Sequence, residues 1–255
     1  MLSKVLAIVQ KKLRNRLYNK GGRGHSGNIT VFHRGALKHR RSYRYVNFKS
    51  FENVEAVVLK LMHDPGRTAN IALVYYLSGF CGYIIAAEGL RVGSTIFSGF
   101  VPPNVEDAFA VGSVLPLKLL PIGFVVHNIE LEPGHGSKVC RAAGSSATIL
   151  KKVDSRVLLK LRSGWNMWLS ENCLVSLGVV SNSGQSDIYI RKAGLVRHMG
   201  FRPVVRGIAK NPVDHPHGGR SNKGQHPTTP WGRLTKGKPT VTPKKRLNKL
   251  FSRFR

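Results

Sequence analysis

The chain has 255 residues, 42% of them hydrophobic, which is enough for one large domain or two small ones with real cores. Forty-one Lys and Arg stand against twelve Asp and Glu, giving a formal charge of +29 and a pI near 10.8. Such an imbalance repels itself in isolation and argues against a self-sufficient neutral domain. It calls for a polyanionic partner, nucleic acid ahead of an anionic membrane surface.

The acids lie between Glu52 and Asp214, so both ends are wholly cationic. The middle reads as a more ordinary globular body carrying two basic arms. Cys81, Cys140 and Cys173 are odd in number and form no CxxC. That pattern fits reduced thiols and neither a disulfide framework nor a zinc site.

At the start, residues 1–19 place Leu2, Val5, Leu6, Val9, Leu13 and Leu17 at helical spacing among basic residues. The stretch resembles a mitochondrial transit peptide, and a basic amphipathic arm (1–24) retained on an RNA surface is the preferred expectation. Short strand signals follow at 29–32, 43–48, 56–62, 71–76 and 83–87, with a turn at Asp64-Pro65-Gly66. They suggest a small barrel, for which an oligonucleotide-binding-type fold is one solution. Within it, residues 70–87 carry no charge over about the length of a membrane span. Ser78, Gly79 and Gly82 split the run, so two buried strands and a hairpin turn are favoured.

Residues 33–44 interleave His33, Arg34, Lys38, His39, Arg40, Arg41 and Arg44 with Tyr43, a pattern suited to tracking phosphates. Residues 111–121 hold two prolines and a glycine and read as a domain boundary or linker. A second strand series at 124–128, 148–153, 157–162, 168–169 and 174–180 predicts a second small barrel. From about Arg197, prolines, glycines and cations replace large aliphatics, so the tail cannot bury a core of its own. Extended, it would reach on the order of 150–200 Å.

The densest constellation is residues 211–219, Asn-Pro-Val-Asp-His-Pro-His-Gly-Gly. Asp214, His215, His217 and the nearby His226 can be read as a metal or acid–base site, but proline and glycine supply no scaffold for a metal shell. An RNA-threading segment accounts for more residues. Gly218 and Gly219 let backbone N–H groups approach phosphates, and Arg206, Lys210, Arg220 and Lys223 supply charge. Neutral histidines can stack on bases or bond to 2′-hydroxyls. Asp214 would order the turn or a histidine, and Trp231 would stack on a base or pack on its own turn. Arg233, Lys236, Lys238, Lys244, Lys245 and Arg246 extend the cationic run.

In order along residues 28–245, these segments resemble the universal large-ribosomal-subunit protein two family. Asp64-Pro65-Gly66-Arg67-Thr68-Ala69-Asn70-Ile71-Ala72-Leu73-Val74 fits its D-P-x-R-[ST]-A-x-I-A-L-V. Pro121-Ile122-Gly123, His127-Asn128-Ile129-Glu130, Pro133-Gly134 and Arg141-Ala142-Ala143-Gly144 fit its central motifs. Leu161-Arg162-Ser163-Gly164, Arg191-Lys192-Ala193-Gly194, Arg202-Pro203 and Arg206-Gly207 lead to the signature at 211–219, with Thr229-Pro230-Trp231-Gly232 after it.

The resemblance implies a mainly β chain with extended basic arms at both ends. An oligonucleotide-binding-type barrel (25–112) and an SH3-like barrel (113–196) precede a tail (197–255) that penetrates rRNA near the peptidyl transferase centre. It implies a non-enzymatic scaffold that aids subunit assembly and association, with Arg67, Arg141, Arg162, Arg202 and Asn211 among the RNA contacts. A family histidine discussed as a catalytic helper would correspond to His215 or His217. The expected partners are large-subunit rRNA and other large-subunit proteins, with a bridge to the small subunit left open. No membrane span and no small-molecule substrate are expected. No cofactor of its own is implied, and any Mg is held by the surrounding RNA.

Three departures stand out: the short arm in place of the usual amino-terminal stretch, Ala36 and Leu37 in a Gly-rich loop, and Arg220–Lys223 without the acid common past Gly219. They favour a mitochondrial ribosome, with a bacterial or plastid one as the alternative.

Overall fold

The computed structural model describes residues 2–16, 20–35, 42–49, 53–100, 109–219, 225–237 and 251–252. They fall into two compact units. One comprises Met1–Leu17, Arg40–Ile188 and Lys249–Arg255, and the other Tyr18–His39 and Tyr189–Asn248. The chain is mainly β, with large sheets and few helices, as the sequence predicts.

In the first unit, the amphipathic arm forms helix α1 (Leu2–Lys12), followed by β1 (Arg14–Arg16), which pairs antiparallel with β2 (Ser42–Arg44). Leu13 packs against the core beside Val46, Ile71 and Tyr83, tying the arm to the first barrel. That barrel is built from β3 (Val54–Met62), β4 (Ile71–Tyr76), β5 (Cys81–Ile85) and β6 (Thr95–Ser98). β4 lies between β3 and β5, antiparallel to both.

The apolar run at 70–87 is explained by that position. Ala72, Val74 and Tyr76 feed one cluster with Ala56 and Ile96, while Ile71 and Leu73 feed another with Val46 and Tyr83. A strand covered on both faces has no solvent side on which to place a charge. The run turns back at residues 77–80, where the Gly79 N–H donates to the Tyr76 carbonyl and the Tyr76 N–H to that of Phe80. No helix among the described residues is long and apolar enough to cross a membrane.

The predicted linker at 111–121 is instead part of the fold. β7 (Val114–Pro116) pairs with β6 in parallel at Ser98↔Val114, and Leu115, Leu117 and Leu120 are fully buried. Its prolines mark the end of a three-residue strand and the turn beyond it. The second barrel continues with β8 (Val125–His127), β9 (Ile129–Glu130), β10 (Ser137–Val139), β11 (Ala147–Val153), β12 (Arg156–Leu161), β13 (Asn166–Ser170) and β14 (Leu174–Leu177). Its core gathers Leu115, Val126, Ile129, Ile149, Leu159, Met167 and Val175. β15 (Phe251–Ser252) adds to the free edge of β13, so a single eleven-stranded sheet runs from β15 to β5.

The strand expected at 29–32 is a turn region, with one bridge between Arg23 and Ile29. Ile29, Val31 and Phe32 are all exposed there, so no facing layer exists to reward an extended run. The strand expected at 43–48 shortens to β2 plus an isolated bridge from Val46 to Tyr83.

Glu130 and His127 are among the polar groups buried in the second barrel. The Glu130 carboxylate accepts from the N–H groups of Gly134 (3.3 Å), Gly136 (3.0 Å) and Leu174 (3.1 Å) and so closes two loops. His127 is fully buried, with Nδ1 3.0 Å from the Gly178 carbonyl. That carbonyl can only accept, so Nδ1 carries the proton. Nε2 has no partner among the described residues. Burial drives the His127 pKa down to about 4 from 6.5.

A histidine whose folded pKa is depressed contributes stability that is complete above its unfolded value. The contribution is lost as the unfolded chain takes up a proton that the folded one refuses. Between pH 6.5 and 4 the chain should therefore lose about 3 kcal/mol through His127 alone. His127→Asn should flatten that part of the profile, measured by urea melts across the window. Parallel profiles for the two proteins would refute the assignment.

Candidate nucleic-acid interface

Four of the expected RNA-contacting arginines are among the described residues of the first unit, and the structure gives them different duties. Asp64 is fully buried and accepts from Arg67 Nε at 2.8 Å and from the Gly66 N–H, with Arg44 Nη1 at 3.7 Å. Arg44 also donates to the His63 carbonyl at 2.8 Å. Its guanidinium is thus committed inside the fold. Arg141 lies 4.5 Å over the Phe48 ring and donates to the Ser137 carbonyl, while Arg67 approaches the same ring at 5.6 Å. Stacking on Phe48 fixes the Arg141 plane, and no acid among the described residues pairs with it. Arg162 is exposed and anchored to the Gly144 carbonyl.

The second unit unites clusters that are far apart in sequence. The Arg202 N–H donates to the His33 carbonyl (2.8 Å), and the Gly35 N–H to that of Gly200 (2.8 Å). Arg34 bridges to Phe201 through the backbone and lays its guanidinium 4.5 Å over that ring. Phe32 packs on Trp231 with ring centroids 5.4 Å apart. Residues 20–35, expected mostly within the first barrel, therefore pack with the tail. Their glycines and turns supply no strand to add to a barrel. Arg202, Arg206, Arg233 and Lys236 are exposed, and Lys210 is half-buried.

The segment 211–219, expected to run extended, is a closed turn. The Asn211 carbonyl accepts from Asp214 N–H (3.0 Å) and His215 N–H (3.2 Å), the His215 carbonyl from Gly218 N–H, and the Lys210 carbonyl from Gly219 N–H. A Cβ on Gly218 would fall on the Asn211 carbonyl, and one on Gly207 would meet the His215 ring at 2.7 Å. Both glycines are required by close approach.

Inside the turn, His215 is buried and its Nδ1 accepts the His217 N–H at 3.0 Å. Its remaining proton must sit on Nε2. Burial, then His217 and Lys210, lower its pKa, so the ring is neutral at pH 7. His217 Nε2 lies 3.1 Å from the Thr228 N–H, 3.0 Å from its hydroxyl and 2.9 Å from the His226 carbonyl. Both imidazoles are engaged in holding the chain to itself. Asp214 is exposed rather than bound to a histidine. Among the described residues, no three His, Cys, Asp or Glu side chains converge as metal ligands.

Lys38, His39, Arg40, Arg41, Arg220, Lys223, Lys238, Lys244, Lys245 and Arg246 lie outside the described residues. Phe48, Phe32 and Phe201 escaped the sequence reading. Each stands close to an arginine with which it stacks, or next to a basic residue in sequence, and that alternation was the available signal.

Cations fixed on aromatic faces, a closed histidine-bearing turn and two small barrels fit the class of structural RNA-binding proteins. Residues 10–98 match the family model for Ribosomal Proteins L2, RNA binding N-terminal domain, and residues 110–232 that for Ribosomal Proteins L2, C-terminal domain. The chain belongs to the ribosomal protein L2 family. It is accordingly a large-subunit ribosomal protein whose partners are rRNA and other ribosomal proteins.

Gly218→Ala should open the 211–219 turn at a local cost of about 2 kcal/mol and leave the barrels intact. Amide exchange at Gly218 and Gly219 in the parent, compared with position 219 in the variant, should show roughly 30-fold faster exchange there. Unchanged protection would mean that the close approach is not what holds the turn.

Proposed function

We propose that this protein binds rRNA beside the peptidyl transferase centre of a mitochondrial large subunit, where it supports assembly and subunit association without performing chemistry. The observation that carries the reading is the 211–219 turn: a motif matching the family signature, set in a unit whose lone acid is Asp214. Each histidine commits one ring nitrogen to nearby chain, His215 Nδ1 to the His217 N–H and His217 Nε2 to Thr228 and the His226 carbonyl, which favours a positioning role over the catalytic-helper role. Arg67, Arg141, Arg162, Arg202, Arg206, Lys210, Arg233 and Lys236 serve as phosphate contacts in this reading. Mg ions at the interface are held by rRNA, with no cofactor site on the protein.

Each phosphate neutralised adds roughly 0.7–0.9 to the salt-dependence slope, so release from ribosomes requires high ionic strength. A photocrosslinker placed at Val213, which is 90% exposed, should capture large-subunit rRNA of the peptidyl transferase region. Sequencing that RNA identifies the compartment at the same time. Crosslinks confined to distant rRNA would remove the placement, and bacterial or plastid rRNA would remove the mitochondrial assignment. A chain recovered free of rRNA at physiological salt would remove the whole reading.

A further inference from the structure

Among the exposed apolar groups of the cationic unit, the largest side chain, Trp231, stands at the tip of a built turn. Thr228 and Leu234 form a backbone bridge, the Thr229 N–H donates to the Arg233 carbonyl (2.8 Å), and the Gly232 N–H to that of Thr229 (2.9 Å). The Arg233 N–H closes on the Thr229 hydroxyl at 3.1 Å. At this tip Trp231 remains 66% exposed. Phe32, itself 45% exposed, meets it at an interplanar angle of 39° and holds the indole without covering it. Pro230, and Gly232 at φ +75°, suit the turn and spare it conformational entropy.

A tryptophan presented in this way to water forgoes the burial that makes the residue favourable. Its occupant must offer a flat apolar face. It must also carry negative charge, because Asp214 is the one acid in residues 18–39 and 189–248, and Arg34 and Arg233 each follow one of the two rings by two residues in sequence. An unpaired nucleobase on a phosphate backbone meets both demands. A duplex does not, because its base faces are already stacked.

We infer that Trp231, backed by Phe32, is a stacking platform for an unpaired base of rRNA, with Arg34 and Arg233 beside the adjoining phosphates. The platform exists only when residues 20–35 and the tail are packed together, so base capture and closure of the unit are coupled. The inference rests on the rRNA-binding reading above and adds to it the class of RNA element recognised.

The test uses the full chain and two fluorescein-labelled probes, an oligoadenylate of about twelve nucleotides and an RNA duplex of similar length, at about 0.15 M salt. Trp231→Ala and Phe32→Ala should each weaken the single-stranded probe by about tenfold and the duplex by less than about twofold. Trp231→Phe should recover most of the loss, and the salt slope should stay that of the parent, since no phosphate contact is removed. A 2-aminopurine at the centre of the oligoadenylate should be quenched by the parent and not by Trp231→Ala.

Equal losses on both probes, or an unchanged single-strand affinity, would overturn the platform. If both RNA affinities hold while Trp231→Ala strips another protein from sedimented large subunits, the tip docks protein and the inference falls. In either case a parent chain that binds both probes leaves the rRNA reading standing. A parent that binds neither removes that reading as well.

Discussion

The constraint on which the second unit depends is a missing core. None of the buried apolar side chains of the molecule lies in residues 20–35 or 189–237, although Val204, Val205, Ile208, Val213 and Trp231 occur there. What holds this unit is a set of backbone hydrogen bonds between two segments, two aromatic contacts and a buried imidazole. Ordering each residue costs about 1–2 kcal/mol of backbone entropy, and such bonds return only about 0.5–1.5 kcal/mol apiece. The unit is therefore only marginally held by its own contacts, and a polyanionic partner would offset its self-repulsion.

The barrels solve the opposite problem. They bury ample apolar surface, and they use scarce acids as internal fasteners. Asp64 is sunk between Arg44 and Arg67, and Glu130 gathers three backbone N–H groups. Burying those carboxylates removes negative charge from the surface, so the exterior is more cationic than the composition alone suggests. Arg44 is drawn inward by the same arrangement. Arg141, half-buried with the Phe48 ring beneath it, pairs with no acid among the described residues.

Regular strands with a strong pattern were legible in the sequence. β4 (Ile71–Tyr76) coincides with its predicted limits because an uninterrupted β-branched and aromatic run between turn signals has few alternatives. Residues 111–121 were not legible, since two prolines suggested a linker while Leu115, Leu117 and Leu120 carried the core signal that decides the matter. Residues 29–32 failed the other way, because a strand-like composition means little without a neighbour to bury it. At the interface, the basic and histidine residues could be named from sequence. Their pairing across about 170 positions could not, because it depends on backbone bonds such as Arg202 N–H to His33 carbonyl that no residue type announces.

The same distinction settles how the signature segment works. Read linearly, Asp214, His215 and His217 suggest chemistry. Folded, Gly207 is bare because the His215 ring lies on it, and Gly218 is bare because the Asn211 carbonyl does. The histidines and glycines lock one another, and burial, followed by the nearby His217 and Lys210, favours an uncharged His215. With those residues turned inward, Asn211, Pro212, Val213 and Asp214 form the outward face. A closed turn flanked in sequence by Arg206 and Lys210, with one carboxylate on its exposed face, is suited to shape recognition rather than to chemistry. The chemistry-like residues make the knuckle, and its exposed face is formed by their neighbours.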